Sequence, residues 1–405
     1  MQAEPILLAA FAAALGVPVS PRADTVRSGL EVAMTDSLHL LQGKRLGLIT
    51  NHSGLDRHGR RNIDLLYRAP GVKLVALFGP EHGLAGVVRG GDKIGTSTDS
   101  ATGLPVYSLY GDTRVPTPDM LKDVDVLVYD IQDVGARVYT FVWTMALAAE
   151  AAGKLGKSFI VLDRPNPIRA DKVEGNILDL RYRSFVGQYD VALRYGLTPG
   201  ELLRYLVGTG RVRANVAVIP MQGYARSMVY SGTGLPWVNP SPNIGDEEAE
   251  LLYPGTVFFE ATSLSEGRGT DAPLKQIGAD WLVDAPAIAR ELNGMRLRGL
   301  RFEARTAAVA RGGGDKHAGK TIPFVRIHVT DPNVAEPVGA SVWMMRIIRR
   351  RHPKEWKWRE NGIERLAGTA ALRRVVERGG VAALLDDWRK QSRRFQTETR
   401  KFWLY

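Results

Sequence analysis

"VKLVALFGPEHGLAG", residues 72–86, contains the pattern that decides the fold. The apolar run at 72–78 stops abruptly at a Gly-Pro pair. A short apolar run bounded by turn residues is typical of a strand buried on both faces. Glu81 and His82 follow directly, with two glycines close behind. The sequence therefore predicts an ionisable pair on a glycine-rich turn at the carboxyl end of a buried strand.

Further runs of this kind alternate with amphipathic segments along the first half of the chain. The predicted strands are 44–50, 72–78, 124–130, 157–163 and 212–220, and the predicted helices are 60–69, 137–152 and 198–207. Buried strands that alternate with helices predict a mostly parallel α/β sheet covered on both faces, of the Rossmann-like, doubly wound type. Ligands bind such sheets at the carboxyl ends of the strands, which is where Glu81 and His82 fall.

The length of 405 residues indicates two domains, because one compact core rarely grows so large. A stretch rich in glycine, proline and serine at 231–248 predicts the boundary. We expect residues 25–235 to form the Rossmann-like catalytic domain and residues 236–405 to form a smaller C-terminal α+β domain that completes the cleft. In that second domain, strands are predicted at 255–262, 299–304 and 323–330, and helices at 281–293, 338–351, 364–377 and 381–401.

Residues 1–24 resemble a secretory signal peptide. "PILLAAFAAALGVPVSPRA" is an apolar run followed by small residues, although the basic residues that usually precede such a run are missing. We therefore expect an exported, periplasmic or extracellular protein. The run is too short for a membrane span and nothing later resembles one, so stable membrane insertion is not expected. The sequence has no cysteine, which excludes disulfides and thiolate chemistry.

The formal net charge is +11, which favours anionic partners such as cell-wall material. No RNA-recognition, zinc-finger or basic-zipper pattern is present, so nucleic acid is not an expected partner. The sequence leaves the oligomeric state open.

Cofactor and metal chemistry find no support in the motifs. The first strand is not followed by Gly-x-Gly-x-x-Gly, and there is no Walker-type loop, His-Glu-x-x-His pair or Gly-x-Ser-x-Gly elbow. We therefore expect no cofactor and no metal. Carboxylates remain, at strand ends or in glycine-rich turns: Glu81, Asp130, Asp133, Asp163, Glu174 and Glu266. Such acids fit glycosidic bond cleavage, which needs a proton donor and a second group that stabilises or attacks the oxocarbenium-like centre.

Ordered motifs from about residue 28 to 405 resemble the exo-β-N-acetylmuramidase family of glycoside hydrolases. They include "NHSG", "LFGPEHGLAG", "DVLVYDIQDVGARVYTF", "DRPNPI", "VEGN", "WVNPSPN" and "LSEGRGT". The resemblance implies a Rossmann-like domain, a smaller second domain and a cleft between them. It also implies release of N-acetylmuramic acid from the non-reducing ends of peptidoglycan fragments, in cell-wall turnover. The implied partner is a peptidoglycan-derived glycan or muropeptide.

The same resemblance implies the site residues. Glu81 and Glu174 correspond to the family's proposed catalytic carboxylates, and His82 is expected to hydrogen-bond Glu81 or the sugar. The expected substrate-binding residues are Asn51, His52, Asp130, Arg137, Tyr139, Arg164, Asn243, Glu266 and Arg268. Arg268 is the first choice for the lactyl carboxylate of the sugar, followed by Arg137 and Arg164. The alternative is that these arginines pair with Asp130, Asp133 or Asp163 and hold the loops.

The expected mechanism is substrate-assisted: the acetamido oxygen attacks the anomeric carbon while Glu81 acts as general acid and then as base. Glu174 would orient the acetamide or stabilise the intermediate. Two other classes stay open. One is a muropeptide- or glycan-binding protein without turnover, which retention of both carboxylates argues against. The other is a metal-dependent deacetylase on the same scaffold, which a chelator would inactivate.

Overall fold

The computed structural model describes residues 26–88, 91–311, 316–360 and 362–405; the signal-like segment 1–24 lies outside them. The strands are β1 (Arg45–Thr50), β2 (Lys73–Gly79), β3 (Ser97–Thr98), β4 (Pro105–Ser108), β5 (Val126–Asp130), β6 (Ser158–Leu162), β7 (Glu174–Ile177), β8 (Ala192–Arg194), β9 (Asn215–Ile219), β10 (Gln276–Gly278), β11 (Leu300–Ala308) and β12 (Thr321–Val329). The helices are α1 (Gly29–Thr35), α2 (Asn62–Tyr67), α3 (Pro118–Leu121), α4 (Phe141–Lys154), α5 (Pro199–Gly208), α6 (Glu247–Thr256), α7 (Ala285–Gly294), α8 (Pro337–Arg351), α9 (Ile363–Ala367), α10 (Ala371–Arg378) and α11 (Val381–Thr399).

The main sheet has seven strands in the order β3-β4-β2-β1-β5-β6-β9. Every pairing in it is parallel except that of β3 with β4. Successive residues of β5 face two different cores: Leu127 and Tyr129 pack in the one that contains α4, while Val126 and Val128 pack with α1 and α2. Both faces of the sheet are therefore covered, which explains the continuous apolar runs. The predicted doubly wound sheet and its five strands are confirmed.

The second half of the chain builds an antiparallel sheet in the order β10-β12-β11, with helices beside it. The prediction of a strand at 255–262 is wrong. The end of α6 and a 3₁₀ turn, Val257–Ala261, occupy those positions. The Asp246 side chain starts α6 by accepting a hydrogen bond from the Ala249 N–H, 2.8 Å away. Phe258 and the residues beside it are buried, so the segment has the composition of a buried strand without its geometry.

The helix predicted at 364–377 is divided in two. Gly368 has a φ of 67° and ends α9 before α10 begins. Glycine reaches this left-handed conformation without the steric cost of a side chain, so it terminates helices readily. Among the described residues, no helix is long and apolar enough to cross a membrane.

The last residues of the chain return to the first sheet. The Tyr405 hydroxyl donates to Asp163, just after β6, and accepts from the Met221 N–H, with both distances 2.8 Å. The Leu404 N–H donates to Glu201 on α5 at 2.8 Å. Trp403 covers the guanidinium of Arg226 at 3.9 Å. These contacts tie the C-terminal segment to the carboxyl edge of the parallel strands.

Candidate active site

A cleft of about 870 Å³ lies beside the carboxyl end of β2 and is lined by residues from both halves of the chain. Six of the residues expected from the sequence line it, and they are Glu81, His82, Tyr139, Asn243, Glu266 and Arg268. The first three come from loops after β2 and β5, and the other three from the segments that flank α6. The cleft is large enough for a sugar with a substituent or a neighbouring ring.

Within the described part of the chain, the Glu81 carboxylate accepts hydrogen bonds from Thr140 and Gly91. Its Oε2 accepts a hydrogen bond from the Thr140 hydroxyl at 2.6 Å, and its Oε1 accepts one from the Gly91 N–H at 3.0 Å. Thr140 is the residue directly before α4 and is itself buried. The carboxylate therefore has a defined orientation at the cleft surface, which a proton donor to a bound substrate requires.

His82 occupies a strained position next to this carboxylate. Its φ is 69°, in the left-handed region that residues other than glycine rarely adopt. One ring nitrogen, Nδ1, lies 2.7 Å from the Val88 carbonyl oxygen, and the ring meets Phe141 edge-on at 6.4 Å. These contacts tie the turn together at 81–88. Backbone strain of this kind concentrates at functional sites, where the surrounding structure maintains it.

Gly86 closes the turn against His52. Its φ is 72°, and a side chain there would overlap the His52 imidazole. The His52 ring hydrogen-bonds through Nε2 to the Asn239 carbonyl oxygen at 2.6 Å, and burial lowers its pKa. His52 thus links the turn to the loop that carries Asn243, and it does not line the cleft itself. The glycine-rich composition of this turn follows from that close approach.

Aromatic side chains form one wall of the cleft. Tyr110 and Phe185 lie together with ring centroids 5.7 Å apart. Burial and the nearby Glu81 carboxylate raise the pKa of Tyr110 to about 12, so its hydroxyl stays protonated. Tyr139 donates to the Pro240 carbonyl at 2.9 Å and meets Tyr253 edge-on at 5.8 Å. Flat aromatic surfaces with polar tips suit the faces of sugar rings.

The cleft lining also contains a compact ionic network. Arg268 donates through one amino group to Glu266 and through the other to Glu260, each at 2.6 Å. Lys316 donates to Glu266 at 2.9 Å. Although burial alone would raise the pKa of Glu266, Lys316 and Arg268 hold it below its usual range. Glu266 is therefore ionised and is not a proton donor at neutral pH.

Glu174 does not line this cleft, contrary to the expected position beside Glu81, and its catalytic role stays a prediction. It begins β7 and lines a separate cavity of about 130 Å³. Its Oε1 accepts from the Gly339 N–H in the first turn of α8 at 2.9 Å, and its Oε2 lies 3.9 Å from Arg194. Burial raises the pKa of Glu174 to about 7. The sequence could not reveal this because α8 is more than 160 residues away along the chain.

Three more expected ligands have internal partners. Asp130 and Arg164 form a buried ion pair with distances of 2.5 and 3.0 Å, and Asn62 also donates to Asp130. The Arg137 guanidinium is fully buried and donates to backbone carbonyls, including those of Val191 at 2.9 Å and Ala367 at 2.8 Å. Burial lowers the pKa of Arg137 to about 9. The alternative in which arginine and aspartate hold the loops is correct for the Arg164–Asp130 pair.

Asn51 also lies outside the cleft lining. Its side-chain oxygen accepts from the N–H of Ser53 at 2.9 Å and from the Ser53 hydroxyl at 2.6 Å, so it shapes the turn after β1. Several cleft residues were not predicted as ligands: Arg114, Thr140, Phe185, Glu260, Lys316, Arg359 and Arg365. Thr140 is the last residue of the "ARVYT" stretch, directly after Tyr139, and its position was a usable signal. Glu260 was hidden by the wrong strand prediction.

The fold and the cleft define a class: two-part α/β proteins with an oriented glutamate after a buried parallel strand. Comparison with known proteins identifies the family to which this chain belongs within that class. The family models described as exo-β-N-acetylmuramidase NamZ match here, the N-terminal one at residues 46–248 and the C-terminal one at residues 251–405. The chain belongs to this family.

Individual known proteins are also similar to this chain. The peptidoglycan β-N-acetylmuramidase NamZ of Bacillus subtilis is 39% identical over 382 residues, which is 94% of this chain and 91% of that protein. Two crystal structures of DUF1343 family proteins from Bacteroides fragilis are also similar. One has a TM-score of 0.88 at 38% identity and covers 95% of this chain and 100% of its own. The other has a TM-score of 0.73 at 26% identity and covers 94% and 99%.

Proposed function

We propose that this protein is a glycoside hydrolase that releases N-acetylmuramic acid from the non-reducing ends of peptidoglycan fragments. The observation that carries the proposal is the Glu81 carboxylate, oriented by Thr140 in a cleft of sugar-binding size. Membership of the exo-β-N-acetylmuramidase family and the similarity to the Bacillus subtilis enzyme support the bond and the sugar.

In the first step, Glu81 in its protonated form transfers the proton to the glycosidic oxygen as the bond from that oxygen to the anomeric carbon breaks. The acetamido oxygen of the same sugar attacks the anomeric carbon and forms an oxazolinium ion. In the second step, the Glu81 carboxylate takes a proton from water while that water attacks the anomeric carbon. The oxazolinium ring opens and restores the acetamido group, and the configuration at the anomeric carbon is retained overall.

The surrounding groups have matching tasks. Thr140 and the Gly91 N–H fix the orientation of Glu81 in both steps. The wall formed by Tyr110, Phe185 and Tyr139 offers faces on which a sugar can stack. Glu260 and Glu266 both accept hydrogen bonds from Arg268, and we assign them to the stability of the cleft wall rather than to proton donation.

The test is release of a chromophore from a β-linked chromogenic N-acetylmuramide. We expect the wild type to release it with or without a chelator, and Glu81→Gln to lose at least about 100-fold in kcat, since general acid catalysis typically contributes 10²–10⁴-fold. Thr140→Val should lose activity in part, because the carboxylate remains but its orientation weakens. Failure of a well-folded wild type to release the chromophore would refute the proposal, and loss of activity with chelator would favour metal-dependent chemistry.

We also propose that the protein works outside the cytoplasm. The apolar segment within residues 1–24 and the location of peptidoglycan support this. Expression of the full chain followed by fractionation tests it. A shortened mature protein in the periplasmic or culture fraction is the expected outcome, and full-length protein confined to the cytoplasm would contradict it.

A further inference from the structure

The cleft carries more positive than negative side chains. Among the described residues that line it, the carboxylates are Glu81, Glu260 and Glu266, and the cations are Arg114, Arg268, Lys316, Arg359 and Arg365. An excess of one sign in a cleft concentrates ligands of the opposite charge. Some of these cations already donate their N–H groups to acceptors of the protein, and others do not.

Arg268 and Lys316 are engaged. Both terminal amino groups of Arg268 donate to carboxylates. All three donors of Lys316 have acceptors, which are Glu266 at 2.9 Å and the carbonyls of Phe259 and Leu264 at 2.7 Å each. A ligand carboxylate would have to displace these bonds and would lie beside two carboxylates. The expectation that Arg268 binds an anionic substituent is therefore not favoured by its surroundings.

Arg114 is placed differently. Its guanidinium carbon lies 4.2 Å from the Phe185 ring centroid and 5.2 Å from that of Tyr110. Its N–H groups donate no hydrogen bond to a described residue, so they are available to an anion in the cleft. No carboxylate within the described part of the chain forms an ion pair with Arg114. Two aromatic contacts limit its motion, so less entropy is lost on binding.

Arg114 shares its wall with the general acid. Tyr110 is close enough to Glu81 for that carboxylate to raise its pKa, and the same ring contacts Arg114. In N-acetylmuramic acid the lactyl ether is on carbon 3, two ring positions from the anomeric carbon. A sugar whose anomeric oxygen meets Glu81 can therefore direct its lactyl group along the Tyr110 side. Arg359 and Arg365 belong to the wall contributed by the second half of the chain.

We propose that Arg114, held against Phe185 and Tyr110, binds the lactyl carboxylate of the substrate and determines selectivity for the charged sugar. This inference rests on the proposed function. Its mode of action is a charge-assisted, bidentate hydrogen bond, for which arginine is better suited than lysine. Such a bond contributes to binding before and during the reaction, so its loss raises KM and leaves kcat nearly unchanged.

The experiment compares two chromogenic substrates, the N-acetylmuramide and its lactyl methyl ester, which has the same skeleton without the charge. Wild type is measured beside Arg114→Gln, Arg114→Lys, Arg359→Gln and the control Arg374→Gln, an exposed residue on α10 outside the cleft. We expect Arg114→Gln to lose about 10- to 100-fold in kcat/KM for the acid, through KM, and little for the ester. Arg114→Lys should restore part of the loss.

In the kinetic comparison, two outcomes overturn the inference: an unchanged acid-to-ester ratio in Arg114→Gln, or loss of that ratio in Arg359→Gln instead. Calorimetric titration with free N-acetylmuramic acid and N-acetylglucosamine measures the same recognition without turnover. A wild type that binds N-acetylmuramic acid through Arg114 but releases nothing from either chromogenic substrate would refute the proposed function while leaving the inference standing. Equal binding of N-acetylmuramic acid by wild type and Arg114→Gln would refute the inference.

Discussion

Substitution of Gly86 by alanine tests the packing of the turn that carries Glu81. Gly86 and Gly103 have almost the same backbone conformation, with φ values of 72° and 71°. A left-handed conformation costs an L-residue about 1–2 kcal/mol, so both substitutions lower the free energy of unfolding by that amount. Around Gly103 a new Cβ meets nothing within 4 Å, whereas at Gly86 it overlaps the His52 ring.

The overlap adds a second penalty only at Gly86. The His52 ring must move, and its hydrogen bond to the Asn239 carbonyl is lost, which costs about 1 kcal/mol more. We therefore expect Gly86→Ala to lose about 2–3 kcal/mol and Gly103→Ala about 1–2 kcal/mol. Because Asn239 precedes the loop that brings Asn243 to the cleft, Gly86→Ala should also raise KM.

Urea denaturation of both variants gives the two free energies, and the chromogenic release assay gives the kinetic constants. The comparison between the two alanine variants removes the common conformational cost. Equal destabilisation together with equal KM would refute the reasoning, since it would mean that Gly86 is needed for its φ alone and not for the approach of His52.

Three further substitutions are informative. Glu174→Gln should keep kcat within about threefold of the wild type, because Glu174 contacts Gly339 at α8 and not the cleft; release as low as in Glu81→Gln would contradict this placement. For Asp133→Asn, burial raises the pKa of the native carboxyl to about 6, above its unfolded value, so the wild type loses roughly 3 kcal/mol of stability between pH 4 and 7 that the variant keeps. Urea titrations at several pH values measure that difference, and a constant difference would count against it. Tyr405→Phe should lose about 1–3 kcal/mol in thermal or urea unfolding because Asp163 and the Met221 N–H each lose a partner; the exposed Tyr67→Phe is the control, and an equal effect in both would show that the buried bonds contribute nothing.

The parallel sheet was predictable because its strands are buried on both faces. A run such as 124–130 has no polar face to confuse the assignment, and the observed β5 begins only two residues later. The segment at 255–262 failed for the same reason. Its apolar residues are buried inside the second half of the chain, and an apolar run that is buried all round has the same composition in a helix as in a strand.

The site was predictable where a single loop determines it. Glu81 and His82 follow a buried strand directly, and the strand carries them to the cleft. Residues whose role depends on a distant partner were not predictable. From the sequence alone, Arg164 is a cation in a loop that could bind substrate, and only the structure shows that it pairs with Asp130. Glu174 accepts a hydrogen bond from the first turn of α8, and nothing in the sequence "VEGN" indicates a contact with that helix. The division of the chain near residue 236 and the catalytic roles themselves stay predictions.

The hydrogen bond between Tyr405 and Asp163 joins positions 242 residues apart. A nascent chain that has emerged from the ribosome only as far as α10 can form the parallel strands, yet it lacks the group that completes the hydrogen bonding of Asp163. Closure of so long a loop is slow relative to local pairing. The first sheet therefore reaches its final stability only after α11 and the residues that follow it have emerged.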